Sequence, residues 1–234
     1  MSEQAEPFDR EPWFLESLRH ARIRRGARVL LLTAHSPSQA VSILEGIGED
    51  GVLTVIEPDP ARAQAVQALD HPNLVALGIE PDGSENLGPH DAVVSCPAVT
   101  PEWPMNRWGQ LAVTHLRPGG RLVLDLPGAR HCDALREAWE EVGADPVLMR
   151  EWNGPPDTSL ARLLRADGLR NVEPSVTTHL VKFETPYEAA AHAGALLGAH
   201  ADVVASLHLA LARRFETGAE LELLFRRTRV LGMR

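Results

Sequence analysis

Short runs of apolar residues alternate along the chain with longer segments in which apolar residues recur at helical spacing. The short runs are typical of strands buried on both faces, and the longer segments are typical of amphipathic helices. Strands that alternate with helices predict a doubly wound α/β fold, because each right-handed crossover lays its helix against a mostly parallel sheet. The predicted strands are residues 28–33, 51–56, 74–77, 92–94, 121–126, 176–183 and 220–231, and the predicted helices are residues 12–23, 39–44, 60–69, 106–116, 133–142, 159–165, 187–197 and 202–214.

The charge and hydropathy of the chain narrow the classes of partner. A net charge of −9 opposes a phosphate backbone, so no nucleic-acid partner is expected. Arginines do cluster at residues 22–25, where a solvated turn is the preferred interpretation and an anion-binding site is the alternative. No apolar run approaches the ~20 residues that span a bilayer. Residues 1–10 are acidic and polar rather than signal-like, so a cytoplasmic protein without a membrane partner is expected.

Several reactive side chains follow predicted strands, at the ends where ligands bind in parallel sheets. A Cys96 nucleophile with His35 or His131 as base would indicate a hydrolase, but no Gly-x-Ser-x-Gly turn surrounds Ser95, which disfavours that interpretation. No metal site is predicted, because the two cysteines lack paired histidines at ligand spacing. Three further histidines also do not form a ligand set, because their eight-residue spacing drifts around a helix; they are His192, His200 and His208.

Three motifs in a fixed order carry a family resemblance. They are Val-Ile-Glu-Pro-Asp-Pro at 55–60, Pro-His-Asp-Ala-Val-Val-Ser at 89–95, and Leu-Arg-Pro-Gly-Gly-Arg-Leu-Val at 116–123. Together they resemble the class I S-adenosylmethionine-dependent methyltransferases of the small-molecule type. The segment 163–169, followed by two helices and a last strand at 227–234, is similar to the trans-aconitate methyltransferase branch. The resemblance implies a Rossmann-like sheet of seven strands with the last strand antiparallel.

The resemblance covers nearly the whole chain and implies one domain over residues 1–234. Within it, residues 1–26 hold a leading helix, residues 27–128 form the cofactor-type half, and residues 129–234 form the acceptor-side half with a helical insertion at 186–216. The insertion is expected to cover the carboxyl edge of the sheet and to complete an acceptor pocket. Its alanine- and glycine-rich start would alternatively form a homodimer contact.

Glu57 ends the second predicted strand, where the resemblance implies a carboxylate that accepts hydrogen bonds from the ribose hydroxyls of S-adenosylmethionine. A carboxylate suits this task because it accepts two hydroxyl donors at once, although Glu57 before Pro58 could simply end the strand. Ile79 stands near the place of an acid that would contact the adenine amine, and Glu80 or Asp82 would substitute for it. The predicted cofactor-binding residues are therefore Thr33, His35, Glu57, Pro58, Glu80 and Ser95.

The loop after the first strand departs from the family pattern. Leu31 stands in place of an acid, and the usual glycine positions are occupied by Thr33, His35 and Pro37. Glycine there allows positive φ angles and close approach of the backbone to a ligand. The segment Ser36-Pro37-Ser38-Gln39 instead predicts a capped helix start, with Gln39 closing a capping box. The amides that would meet the cofactor are then partly engaged.

Two functions are consistent with these residues. The first is an S-adenosylmethionine-dependent methyltransferase that acts on a hydroxyl or carboxyl group of a small molecule, with His35 or His131 as general base. Because methyl transfer depends mainly on alignment of the reacting atoms, no further catalytic residue need be visible. The alternative is a methyltransferase-like protein that has lost cofactor binding and acts as a ligand-binding or interaction module, since fold does not determine function.

Overall fold

The computed structural model describes residues 11–34, 36–78, 87–95, 105–128, 132–144, 157–197, 201–215 and 221–234. None of the helices within these ranges is long and apolar enough to cross a membrane. The elements, in chain order, are α1 (Glu11–Ala21), β1 (Arg28–Leu32), α2 (Pro37–Ile47), β2 (Val52–Ile56), α3 (Pro60–Gln67), β3 (Leu74–Leu77), β4 (His90–Ser95), α4 (Met105–His115), β5 (Leu116–Pro127), α5 (Asp133–Glu141), α6 (Asp157–Ala166), β6 (Arg170–Phe183), α7 (Pro186–Leu197), α8 (Ala201–Arg214) and β7 (Leu221–Met233).

The strands form one seven-stranded sheet in the order β3-β2-β1-β4-β5-β7-β6. Strand β1 pairs in parallel with β2 and β4, and parallel pairing continues outward to β3 and β5. Strand β7 runs the opposite way: Gly119 N–H donates to Arg234 O near the start of β5, and Gly128 N–H donates to Arg226 O beyond its end. The predicted doubly wound, mostly parallel sheet with an antiparallel last strand is confirmed.

The central strands bury both faces, as their continuous apolar runs predict. Residues 10–126, 156–175 and 228–234 make up one compact unit that contains these strands. Val29 and Leu31 belong to a core cluster that includes Phe14 of α1, Ile43 of α2 and Val66 of α3. The alternate residues of β1, Leu30 and Leu32, belong to a second core cluster. This cluster also contains Leu111 of α4 and Leu160 of α6. The alternation along β1 therefore places helices on both faces of the sheet.

A second compact unit comprises residues 1–9, 127–155 and 176–227. In it, α5 and α8 are joined by ion pairs from Arg214 to Glu137 at 2.8 Å and to Glu141 at 3.1 Å. Helix α7 packs against α8. The small residues considered above for a homodimer contact are largely buried within the chain, among them Ala189, Ala190 and Ala193. The homodimer and the covering role of α7 and α8 both stay predictions.

Strands β5 and β6 begin much earlier than the sequence predicts, and β4 begins slightly earlier, at His90 rather than at residue 92. Strand β5 starts at Leu116 rather than at residue 121, so it includes the Pro-Gly-Gly segment, which has the composition of a turn. His90 lies opposite Leu116 while Ala92 lies opposite Arg121, so the intervening residues of β5 form a bulge with turn-like composition. Strand β6 starts at Arg170 rather than at residue 176, because it is the edge strand of the sheet, where a proline such as Pro174 is tolerated.

Candidate functional site

Three of the predicted cofactor residues lie together at the carboxyl edge of the sheet, namely Thr33, Glu57 and Ser95. Leu32 at the end of β1 is paired with Ile56 of β2 and with Ser95 of β4, so the residues that follow these strands are neighbours. Thr33 N–H donates to Ile56 O at 2.8 Å, which fixes the start of the loop after β1 beside the end of β2. The strand order reverses between β1 and β4, and ligands of open α/β sheets bind at such a switch point.

Of the remaining predicted site residues, Pro58 lies within the described part of the chain and the others lie outside it. Pro58 is partly buried and connects Glu57 to Asp59, the N-cap of α3. His35, Glu80 and His131 lie outside the described residues, and so do Cys96, Ile79 and Asp82. The structure therefore brings together the strand-end part of the predicted site, and the two predicted general bases stay predictions.

The Glu57 carboxylate is fully buried and is held by hydrogen bonds from three directions. Its Oε2 accepts from Ala34 N–H at 2.8 Å. Its Oε1 accepts from Asp59 N–H at 3.0 Å and from Arg62 at 3.1 Å (Nε) and 2.8 Å (Nη2). A carboxylate has about four acceptor positions. Oε1 is therefore saturated, while Oε2 retains capacity for one more donor.

The conformation of Thr33 preserves a backbone shape that normally requires glycine. Its φ angle is 62°, in the left-handed region, which is uncommon for a β-branched residue. The side chain is fully buried, and its Oγ1 has no hydrogen-bond partner among the described residues. Thr33 thus has a backbone conformation that glycine adopts more readily, at the expense of backbone strain and of a hydroxyl without a partner among the described residues.

We expect the substitution Thr33→Gly to stabilise the protein by about 1 kcal/mol. Relief of the left-handed strain and of the unpaired hydroxyl favours the folded state by roughly 2–4 kcal/mol. The greater freedom of the unfolded chain and the lost methyl burial offset roughly 1.5–2 kcal/mol of that gain. Urea unfolding measures the difference. Thr33→Ala is the matched control, because it removes the hydroxyl and keeps the strained Cβ. A Thr33→Gly protein less stable than Thr33→Ala would contradict the assignment of strain.

The start of α2 has the local structure that the sequence predicts. Ser36 is the N-cap, with extended backbone, and Pro37 is the first helical residue. Ser36 N–H donates to Oε1 of the buried Gln39 at 3.3 Å, which is the glutamine half of a capping box. One backbone amide at this helix start is therefore already engaged by the protein itself.

Ser95, one of the predicted cofactor residues, contacts Asp125 near the end of β5, and both belong to a buried polar cluster. Ser95 Oγ accepts from Asp125 N–H at 2.9 Å. The Asp125 carboxylate, only 1% exposed, accepts from Ser17 Oγ of α1 and from Arg229 Nη2 of β7, both at 3.0 Å. Arg229 also pairs with Glu16 at 2.8 Å, and this hydrogen-bonded pairing lowers the pKa of the Glu16 carboxyl.

Two charged residues of this edge are absent from the sequence-based site. Arg62 follows Glu57 in the first turns of α3, and its proximity along the chain was the available signal. Arg229 lies in β7, a strand that also carries Glu222, Arg226 and Arg227. A buried charge within such a strand needs a partner, so Arg229 could have been predicted to pair with a buried acid, though not with Asp125 in particular.

The described residues give little support for a metal site or for a cysteine nucleophile. No three histidine, cysteine, aspartate or glutamate side chains there are grouped as metal ligands. Cys132 is buried, and desolvation raises the pKa of its thiol to about 12. A thiol with such a pKa is protonated at neutral pH and is a poor nucleophile. The carboxyl edge of the sheet is therefore the best-defined candidate site.

Comparison with known proteins shows the fold. No protein-family model matches the chain, and no curated protein sequence matches it either. The YcgJ protein from Bacillus subtilis superposes with a TM-score of 0.67 at 12% identity, covering 94% of this chain and 97% of that chain. A precorrin-6y C5,15-methyltransferase from Geobacter metallireducens superposes with a TM-score of 0.54 at 12% identity, covering 100% and 93% of the respective chains.

A third similar structure is a candidate sarcosine dimethylglycine methyltransferase from Galdieria sulphuraria. Its TM-score is 0.56 at 13% identity, covering 94% of this chain and 84% of that chain. At such low identity the likeness establishes the architecture alone, which is the Rossmann-like fold of S-adenosylmethionine-dependent methyltransferases. What individual residues do in this chain has to be argued from their own geometry.

Proposed function

We propose that the protein is an S-adenosylmethionine-dependent methyltransferase that acts on a hydroxyl or carboxyl group of a small molecule, and that it binds the cofactor weakly. The observation that carries the proposal is the Glu57 carboxylate, buried at the end of β2 beside the switch point of the sheet. A ligand with two hydroxyl groups is recognised well by a carboxylate in that position.

Two polar groups at this edge support binding of a nucleoside-type cofactor: the Glu57 carboxylate and the Thr33 hydroxyl. Glu57 Oε2 accepts one hydrogen bond, from Ala34 N–H, and retains capacity for a ribose hydroxyl. Thr33 Oγ1 is buried without a partner among the described residues, and a buried hydroxyl of this kind favours a ligand that pairs with it. Residues Glu57 and Thr33 would therefore hold the cofactor, and Pro58 and Ser95 stay predicted contacts at the same edge.

The cofactor, when bound, supplies an activated methyl group on a sulfonium, so the task of the protein is to orient the acceptor and exclude water. Glu57 is oriented for its role by Ala34 N–H and by Arg62, which leaves its carboxylate little rotational freedom. His35 or His131 remains the proposed general base. A similarity of the acceptor to that of the trans-aconitate branch remains part of the proposal.

A second candidate function is a ligand-binding or interaction module without catalysis. The observation that favours it is the saturation of Glu57 Oε1 by Asp59 and Arg62, which leaves half of the carboxylate unable to accept a second hydroxyl. The engaged Ser36 amide at the start of α2 acts in the same direction, because helix N-terminal amides commonly bind anionic ligand groups. The two functions differ in whether the cofactor binds at all.

Calorimetric titration with S-adenosylhomocysteine tests the proposal. We expect the wild-type protein to bind with a dissociation constant between about 50 μM and 1 mM, which corresponds to about −6 to −4 kcal/mol. Glu57→Gln should weaken binding by about tenfold or more, since loss of a charged hydrogen-bond acceptor costs roughly 1.5–3 kcal/mol. Glu45→Gln is the matched control, because Glu45 is exposed on α2 and its loss changes the net charge equally.

Absence of binding at about 1 mM would overturn the methyltransferase proposal and favour the non-catalytic module. In that case Arg62→Ala provides a second measurement, because it releases Glu57 Oε1. Binding gained by Arg62→Ala would identify the ion pair between Arg62 and Glu57 as the cause of the lost affinity. Equal weakening by Glu57→Gln and Glu45→Gln would show that Glu57 has no specific role.

A further inference from the structure

A pocket of about 260 Å³ lies at the amino edge of the sheet, opposite the strand ends described above. It is bordered by the turn between α1 and β1, by the start of β4 and by the bulge at the start of β5. These segments are adjacent because β4 pairs with both β1 and β5. Its walls combine small apolar residues with charged ones, namely Ala21, Ala27, Ala92, Arg22, Arg24, Arg117, Arg121 and Asp91.

The charges around this pocket are strongly unbalanced. Among the described lining residues the one acid, Asp91, is already engaged by an ion pair with Arg117 and by the backbone N–H of Arg28 at 2.8 Å. Within the described part of the chain, no ion pair or side-chain hydrogen bond engages the guanidinium groups of the other three arginines, which are Arg22, Arg24 and Arg121. The sequence anticipated only the segment 22–25, whereas the fold adds Arg117 and Arg121 from β5.

The backbone at Arg22 has a left-handed conformation that glycine adopts without strain. Arg22 follows the last residue of α1 with a φ angle of 52°, and its N–H donates to Arg19 O at 3.2 Å. This is the position after a helix where glycine is usual, and a larger residue costs roughly 1–2 kcal/mol there. A glycine would serve the fold better. The arginine is thus placed at the pocket at a cost to stability.

The pocket continues along the same edge. A neighbouring depression of about 560 Å³ shares Arg22 and Arg121 and adds Arg19, His20 and Asn171. It also contains two acids: Glu16, which pairs with Arg229 at 2.8 Å, and Glu173. A ligand whose anionic group sits between Arg22 and Arg121 would therefore have room for a further part in this depression.

We infer that the amino edge of the sheet binds a pyrophosphate group, either as the free anion or as part of a nucleoside diphosphate. Guanidinium groups form paired hydrogen bonds with phosphate oxygens, and three of them around one pocket match a group that carries several negative charges. The chain as a whole has a net charge of −9, so this positive pocket is a local feature that a long nucleic acid would not exploit. The site is separate from the proposed cofactor site at the carboxyl edge.

Calorimetric titration of the full chain with inorganic pyrophosphate at constant ionic strength tests this inference. Wild-type protein should show saturable binding at one site. Arg22→Gly should bind at least about tenfold more weakly, since charged hydrogen bonds are lost, and should unfold at a higher temperature because glycine relieves the strain. Arg121→Gln should weaken binding to a similar degree without the gain in stability. Arg170→Gln, an exposed position of the same unit outside the pocket, is the control with the same change in charge as Arg121→Gln.

A parallel titration with ADP separates the two sources of the group: tighter binding of ADP than of pyrophosphate indicates a nucleoside diphosphate, and equal binding indicates the free anion. Absence of saturable binding by wild-type protein would overturn the inference, as would equal weakening by Arg121→Gln and Arg170→Gln. The affinity of Arg22→Gly for S-adenosylhomocysteine should equal that of wild type. Failure of the pyrophosphate site is therefore distinguishable from failure of the proposed methyltransferase function.

Discussion

Replacing Arg229 with methionine should destabilise the protein by about 3–5 kcal/mol, because it removes a guanidinium that pairs with the buried Asp125 carboxylate. Arg229 is 4% exposed and Asp125 is 1% exposed, with 3.0 Å between Nη2 and Oδ2. Ser17 Oγ also donates to Asp125, but a neutral hydroxyl does not replace a full charge. Guanidinium chloride unfolding at pH 7 measures the loss.

The double variant Arg229→Met with Asp125→Asn separates the ion pair from general packing. Removal of both charges should cost less than the sum of the single losses, since neither variant residue is then a buried unpaired ion. Arg213→Met is the matched control: Arg213 pairs with Glu141 at 3.2 Å on the surface, and its loss should cost below about 1 kcal/mol. Similar losses for Arg229→Met and Arg213→Met would refute the buried pair as a source of stability.

Lowering the pH from about 7 to 4 should remove about 3 kcal/mol of stability through His90 alone. His90 is fully buried at the start of β4, and burial is the main cause that lowers its pKa from 6.5 to about 4. Its Nδ1 faces His115 O and its Nε2 faces Thr54 Oγ1, both at 3.3 Å. Neighbouring Arg28 and His115 lower the pKa further, while Asp91 and the hydrogen bond to His115 O raise it.

The direction of this effect follows from proton binding. Between pH 6.5 and 4 the unfolded chain binds a proton at His90 that the folded chain does not bind, so stability falls as pH falls. The contribution is fully present above pH 6.5 and is lost by about pH 4. Urea unfolding at several pH values should show that the free energy of unfolding falls less steeply with falling pH for His90→Gln than for wild type.

His71→Gln, at an exposed position, should keep the wild-type slope. Because other carboxyl and imidazole groups also titrate in this range, the quantity to compare is the difference between each variant and wild type at every pH. Direct titration of the His90 ring by NMR provides an independent measurement if His90→Gln folds poorly. A ring pKa near 6.5 in the folded protein would contradict the prediction.

Much of the fold could be predicted from the sequence because the signals are local. Apolar runs such as residues 28–33 and 51–56 correspond closely to β1 and β2, and the strand at 74–77 matches β3. The capping sequence after β1 likewise predicted where α2 begins. Each of these features depends on residues within a few positions of one another, which hydrophobic period and capping chemistry can resolve.

The strand starts that were wrong depend on distant partners. The Pro-Gly-Gly segment has the composition of a turn, yet the end of β7 pairs with it and draws it into the sheet as a bulge. Arg170 to Ser175 has little apolar content, and only its edge position beside β7 makes it part of β6. Backbone pairing across the sheet is insensitive to side-chain hydropathy, so the sequence pattern could not reveal these residues as strands.

By itself the sequence determined the α/β fold, the position of Glu57 at the end of β2 and the capped start of α2. Only the tertiary structure decided how these residues are used. Arg62 saturates one oxygen of Glu57, and Arg229 crosses to Asp125 over 104 positions of the chain. Charges and hydrogen bonds act over a few ångströms in space, and separation along the chain carries almost no information about which buried groups meet.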